Sequence, residues 1–351
     1  MTRDADTRTL SFASDYLEGA HPAILDRLVQ TNMEQTPGYG TDAHSEQARE
    51  LIRAACGVPQ AEVRFLVGGT QANACVIGCA LRPWQGVVAA STGHVSAHEA
   101  GAIEFGGHKV MELPAVNGKI DAAQVEAYVN RWENDDNRDH MVMPGMVYVS
   151  QPTEYGTLYT RDELEGLSRV CHDHDMLLYV DGARLAYALA APNNDVTLPD
   201  LARLCDAFYL GGTKCGCLFG EAVVVPDPTT IPHFFTQIKQ RGALLAKGRI
   251  AGIQFEVLFE DGLYERIGAM AVQEAARIRK RLEACGLTQP IESPTNQVFV
   301  LAEDAWLARF GQHVEYSFWE KPDAGHTVIR LATSWATRGE DVDALLELID
   351  A

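Results

Sequence analysis

The chain has 351 residues, 46% of them hydrophobic and 22% charged, with a formal net charge of −19. That length allows one large domain or two smaller ones, with enough apolar residues for a substantial core. The negative charge argues against nucleic acid and anionic membrane as partners, because both demand a positive face.

Residues 1–9 are polar and charged, without the apolar core of a signal segment. No apolar run approaches the ~20 residues of a membrane helix. The eight cysteines are scattered, no pair of CxxC units exists, and Cys215 and Cys217 sit too close together for a standard zinc site. The expectation is a cytoplasmic chain with free thiols.

In chain order, the ordered part begins at Ser11-Phe-Ala-Ser14-Asp15, and a helix starts at His21-Pro22, with proline near its first turn. The segment 36–42 is turn-rich, and residues 44–56 are helical, with Ala48, Leu51, Ile52 and Ala55 on one face. Residues 62–67 read as a strand ending in Gly68-Gly69-Thr70, followed by a small-residue helix over 71–81. Strand, glycines, hydroxyl, then helix can cradle a phosphate, since amides at a helix N-terminus favour an anion. An ordinary βα turn has the same look, and the pattern is neither GxGxxG nor a Walker loop. A strand over 86–90 runs into a helix with His94 at the junction. That imidazole suits stacking on a ring or proton transfer; a plain surface or core histidine is the alternative. His94 and His98 lack a third metal ligand nearby, so no metal is expected.

Strands over 110–113 and 145–150 and helices over 119–132 and 161–174 continue the alternation, with a charged loop over 134–140. Two apolar runs then end in small residues and one charged group each. Met176 to Val180 delivers Asp181, and Ala207 to Leu210 leads to Lys214. Wholly apolar strands belong to parallel sheets covered on both faces, whose ligands sit beyond the carboxyl ends of the strands. Asp181 and Lys214 would then face one crevice. A lysine that condenses with an aldehyde and an acid that keeps a proton on a pyridine nitrogen suit pyridoxal phosphate. A structural ion pair is the competing reading. The strand at 223–226 closes the series, and five or more βα units mean a doubly wound sheet with right-handed crossovers.

Residues 237–258 read as one long helix carrying Lys239, Arg241, Lys247 and Arg249, which could reach a phosphate, in a partner subunit, or simply face solvent. A helix over 261–285, strands over 296–301 and 327–332 and a closing helix over 340–349 form a small α/β domain. Arg330 lies inside an apolar strand and must find an anion there, a substrate carboxylate or a structural acid. The expected division is an N-terminal segment 1–30, a large cofactor-binding domain 31–235, and a connecting helix with the small domain over 236–351.

Taken together, the chain resembles the threonine aldolase and β-eliminating lyase family, pyridoxal phosphate enzymes of fold type I. The resemblance runs from Ser14-Asp15 to the Arg330 strand. It is carried by Asp181-Gly-Ala-Arg184, Gly211-Gly-Thr-Lys214, His94 five residues before Glu99-Ala-Gly, and Tyr39-Gly-Thr-Asp42, which resembles the family's YGxD segment. It implies an α/β, transferase-like fold and an enzyme that cleaves a β-hydroxy-α-amino acid, with β-elimination or transamination as the alternative. It implies that Lys214 is the covalent anchor, Asp181 the partner of the ring nitrogen, and His94 the stacking residue. Gly69 and Thr70 would hold the phosphate. Arg184 and Arg330 would bind the amino acid carboxylate with help from Ser14, Arg184 also touching the cofactor and Tyr39 the substrate. It further implies a homodimer or homotetramer acting on a small amino acid. Two stretches depart from the family pattern. Thr213-Lys-Cys-Gly-Cys stands for Ser-Lys-Gly-Leu-Gly, and Thr153-Glu154-Tyr155 for Thr-His-Asn. The second change is similar to the branch that includes phenylserine aldolases and makes Glu154 the candidate base at the β-hydroxyl, with His94 or a held water as alternatives.

Overall fold

The alternation of apolar runs with amphipathic stretches closes into one central sheet. The computed structural model describes residues 9–350, so the polar start of the chain, residues 1–8, lies outside the described residues. In chain order the strands are β1 Leu10–Ser11, β2 Glu62–Leu66, β3 Gln85–Ala90, β4 Val110–Leu113, β5 Met143–Ser150, β6 Leu177–Asp181, β7 Ala207–Gly211 and β8 Glu221–Val225. Then follow β9 Gln297–Glu303, β10 Val314–Glu315, β11 Ser317–Glu320 and β12 His326–Ala332. The central sheet has seven strands in the order β2-β8-β7-β6-β5-β3-β4. The pairs β3–β4, β3–β5, β5–β6 and β6–β7 are parallel. Only β8 runs the other way, antiparallel to β2 and β7. β6, β7 and β8 are almost wholly buried, as expected for strands covered on both faces. Two apolar cores flank the sheet: Val88, Val147, Leu178 and Phe208 face one, and Val87, Tyr148, Tyr179 and Tyr209 the other.

A smaller antiparallel sheet, β11-β12-β9, carries Arg330. Its core gathers Ala275, Ile278 and Leu282 with Val298, Ile329 and Leu345, and also takes in Leu10 and Phe12 from the chain's start. β1 pairs with β10 in a separate two-stranded sheet, and the Phe12 carbonyl accepts the Ala332 amide of β12 at 2.8 Å, so the N-terminal segment is tied to the small sheet just before Ser14 and Asp15. Phe255, Tyr264 and Ile267, within the stretch 236–351, pack into a core of the central sheet.

The long helix expected over 237–258 is instead two, Phe234–Gln240 and Arg249–Glu260. Gly242 between them has φ +70°, a left-handed residue through which an α-helix cannot continue. Short strands β1, β10 and β11 also escape the sequence, because two to four residues show no periodicity.

Candidate active site

The carboxyl ends of β5, β6 and β7 open on one edge of the sheet. The reversed β8 adds its first residue, Glu221, to that edge. Asp181 is the last residue of β6 and is 4% exposed. Its Oδ1 accepts the Tyr209 hydroxyl at 2.5 Å and the Ala183 amide at 3.0 Å. Its Oδ2 accepts the Tyr148 hydroxyl at 2.7 Å and the Asn73 amide group at 3.0 Å. Burial opposes its charge, but the His94 charge and the Tyr209, Tyr148 and Ala183 donors outweigh burial and hold the carboxyl below its ordinary range.

Asn73, on the helix Gly69–Ala80, also donates to Glu99 Oε1 at 2.7 Å and accepts the Tyr179 hydroxyl at 2.9 Å. Glu99 Oε1 holds His94 Nδ1 at 2.7 Å. Burial works against a charged His94, yet the Glu99 bond and the Asp181 and Glu99 charges raise its proton affinity above the usual value. Glu154 Oε1 accepts the His94 backbone amide at 2.9 Å and the Ser150 hydroxyl at 2.8 Å. Both bonds fall on one oxygen, and Glu154 lines the cavity. Burial raises the Glu154 carboxyl above its ordinary range against the Ser150 bond, and the Asp181 charge adds to the rise.

One cavity of about 300 Å³ is lined by Gly68, Gly69, Thr70, His94, Glu154, Asp181, Arg184, Lys214 and Glu221, among others. Burial and the Arg184 charge lower the proton affinity of Lys214, opposed by Asp15, Asp181 and Glu221. That favours the free amine, the form that condenses with an aldehyde. The first bond of the helix Gly69–Ala80 runs from the Ala72 amide to the Gly68 carbonyl at 2.9 Å, so the amides ahead of it have no intrahelical acceptor.

A second, connected cavity of about 770 Å³ is lined by Tyr16, His94, Glu154, Tyr155, Lys214, Phe318, Trp319 and Arg330, among others. Arg184 is not free to act alone: Asp15 grips its Nε at 2.6 Å and Nη2 at 2.9 Å. Arg330 has no acid partner among the described residues. Its Nη1 donates to Gln297 at 3.0 Å, its Nη2 reaches only the Ala13 carbonyl and the Ser317 hydroxyl, and its buried Nε has no acceptor. Burial and the Arg184 charge push Arg330 down to about 10. The Ser14 hydroxyl, beside the Ala13 carbonyl that Arg330 touches, is likewise buried without a partner.

Ser14 lines neither cavity directly, and Tyr39 lies elsewhere. The Tyr39 ring lies beneath Lys239 Nζ, 4.0 Å from its centroid, and lines a separate pocket with Arg49 and Arg64. Arg241 caps the Gly78 carbonyl, and Arg249 the carbonyls of Glu34 and Asn32, so within one chain these basic groups stay away from Lys214. Sequence reasoning assigned no role to Asp15, Asn73, Tyr148, Tyr209 or Glu221. Asn73 alone had a signal: a polar residue buried among Ala72, Cys75, Val76 and Ile77 on a small-residue helix.

These residues fit pyridoxal phosphate. Asp181 is a charged acid, Lys214 an amine of lowered proton affinity, and His94 a half-buried flat ring. A Cβ built on Gly68 would meet nothing within 4 Å, so the turn opens on free space. Fold and site together define a pyridoxal phosphate enzyme of fold type I. The profile of the beta-eliminating lyase family matches residues 11–305. The threonine aldolase structure from Leishmania major is 44% identical and superposes with a TM-score of 0.94, covering 97% of this chain and 98% of that one. The low specificity L-threonine aldolase of Pseudomonas aeruginosa is 29% identical over 308 residues, 85% of this chain and 86% of the relative. Aspartate aminotransferase from Thermus thermophilus shares the fold at 16% identity and a TM-score of 0.72, over 97% of this chain and 91% of that one. The chain belongs to the beta-eliminating lyase family, and it is a pyridoxal phosphate-dependent lyase.

Proposed function

We propose that the protein cleaves a β-hydroxy-α-amino acid, threonine or a phenylserine-like relative, into glycine and an aldehyde. The single observation that carries this reading is Arg330, a half-buried guanidinium with no carboxylate partner among the described residues, in the cavity that Glu154 lines. A substrate carboxylate would satisfy Arg330 bidentately, with the remaining Arg184 nitrogen beside it. Asp15 would keep Arg184 aimed.

When bound, pyridoxal phosphate supplies an electron sink for the bond broken at Cα. Arg330 and Arg184 would hold the amino acid carboxylate and so fix its orientation about that carbon, which selects the bond that breaks. Asp181 would hold a proton on the ring nitrogen, and His94 would cover a ring face. Glu154 Oε2 takes the β-hydroxyl proton; the Cα–Cβ bond breaks, the aldehyde leaves, and a proton returned to Cα completes glycine. The relatives' names, threonine aldolase, support the same chemistry. Tyr155, Phe318 and Trp319 line the space beyond Glu154, which supports an aromatic β-substituent as well as a methyl.

Borohydride reduction followed by peptide mapping is expected to label Lys214. Incubation with threonine and with phenylserine is expected to give aldehyde and glycine in equal amounts. Ammonia and a keto acid without glycine would mean elimination instead.

A further inference from the structure

Glu221 is a buried acid of the cavity to which no step above gives a part. As the first residue of β8 it is paired with Leu66 on β2 and Gly211 on β7. The Gly68–Thr70 turn follows β2, and the turn that carries Lys214 follows β7. Glu221 therefore stands between the phosphate cradle and the lysine, and it lines the cavity that both share. Its Oε2 accepts the Gly212 amide at 3.1 Å and its Oε1 the Thr213 hydroxyl at 2.8 Å. Thr213 Oγ1 in turn accepts the Gly220 amide at 3.0 Å. One carboxyl group thus latches the lysine turn and shares a cavity wall with the Gly68–Thr70 turn.

We propose that Glu221 couples binding of the phosphate-bearing cofactor to the uptake of one proton. The inference rests on the reading of the Gly68–Thr70 turn as the phosphate site. An ionised carboxyl there repels a phosphate dianion across a cavity of low dielectric, and a neutral one does not. Burial already pushes the Glu221 carboxyl up to about 8, against the pull of Thr213, Lys214 and the Gly212 amide, and the Asp181 charge adds to the rise. The charged groups that face it are Lys214, from its own turn, and Asp181 on β6. Tyr179 on β6, Tyr209 on β7 and Tyr264 on the helix Leu263–Ala284 face it too, and burial keeps all three neutral. Cys215 and Cys217 are kept neutral in the same way. A second anion arriving beside Glu221 raises its proton affinity further, so the proton enters with the phosphate.

The test is calorimetric titration of cofactor-free enzyme with pyridoxine 5′-phosphate, which has no aldehyde and forms no bond to Lys214. Titrations in two buffers of different ionisation heat count the protons taken up, and any proton held by Asp181 and the ring nitrogen is common to wild type and E221Q. Between about pH 7 and about pH 9 the wild-type affinity is expected to fall roughly tenfold more than that of E221Q, with a proton-count difference approaching one. Parallel affinity profiles and equal proton counts overturn the role of Glu221. If E221Q loses its far-UV circular dichroism, Thr213→Val removes one donor from the carboxyl and is expected to move the wild-type midpoint to higher pH; an unmoved midpoint overturns the proposal equally. Absence of binding to the wild type overturns the phosphate reading, and the inference with it, whereas parallel profiles overturn the Glu221 part alone.

Discussion

Four donors converge on Asp181, and three of them come from side chains that the linear sequence scatters over 136 positions, from Asn73 to Tyr209. Each is a neutral group that stabilises the charged acid without cancelling it, which supports the proposed pairing of Asp181 with a protonated ring nitrogen. Glu154 sits in the opposite condition: burial and the Asp181 charge push its proton affinity up. A base must be ionised to act, so the rate of cleavage is expected to rise with pH through a midpoint above the ordinary glutamate range, and this limb should vanish in Glu154→Gln. Glu154→Ala is expected to lose ~1–3 kcal/mol of transition-state stabilisation, the worth of one polar contact, read as kcat/KM for cleavage. Glycine has no β-group, so its binding, followed by the visible spectrum, should be nearly unchanged. Equal losses in glycine binding would show that Glu154 only shapes the site.

The elements that aim the arginines are packed closely enough to be tested. Arg184 precedes the short helix Leu185–Leu189, which lies against the helix Leu263–Ala284. Gly268 on the longer helix makes that approach possible, because a Cβ there would overlap the Ala186 carbonyl. Backbone, unlike a flexible side-chain tip, cannot step aside cheaply. Gly268→Ala is therefore expected to destabilise the fold by ~1–3 kcal/mol, the usual cost of overpacking, in urea denaturation. KM for the amino acid should rise as well, since Arg184 shifts with its helix. Unchanged stability and KM would show that the two helices separate freely. The reversal of β8 has a comparable effect on the site: a parallel strand there would carry Glu221 to the far edge, away from Lys214.

For the whole molecule, the small sheet supplies Arg330, the N-terminal segment supplies Asp15, and Arg184 follows β6, so the proposed carboxylate clamp draws on three distant parts of the chain. Val29 and Met33, in and just after the helix Pro22–Gln30, are 76% and 87% exposed. With the family resemblance, this supports the proposal that copies of the chain assemble. Light scattering is expected to give the mass of two or four chains, and a Val29→Glu, Met33→Glu double substitution to shift it toward one. A wild-type monomer at working concentration would refute the assembly. Among the described residues no helix is long and apolar enough to cross a membrane.

Local pattern was enough for the alternating strands and helices, for the Asp181 and Lys214 strand ends, and for the glycine-rich turn before the helix Gly69–Ala80. These are properties of short stretches, where periodicity of apolar residues and turn chemistry act within a few positions. Arg330 stands out in the sequence as a guanidinium inside an apolar strand, and among the described residues the structure gives it no acid partner. The direction of β8, the break at Gly242, the seizure of Arg184 by Asp15, the remote position of Tyr39 and the Asn73 bridge between Glu99 and Asp181 were settled only by tertiary structure. A strand's own residues do not state which neighbour it will pair with or in which sense. A polar side chain's partner is fixed by burial, which forces every donor and acceptor to find a match across the fold rather than along the chain.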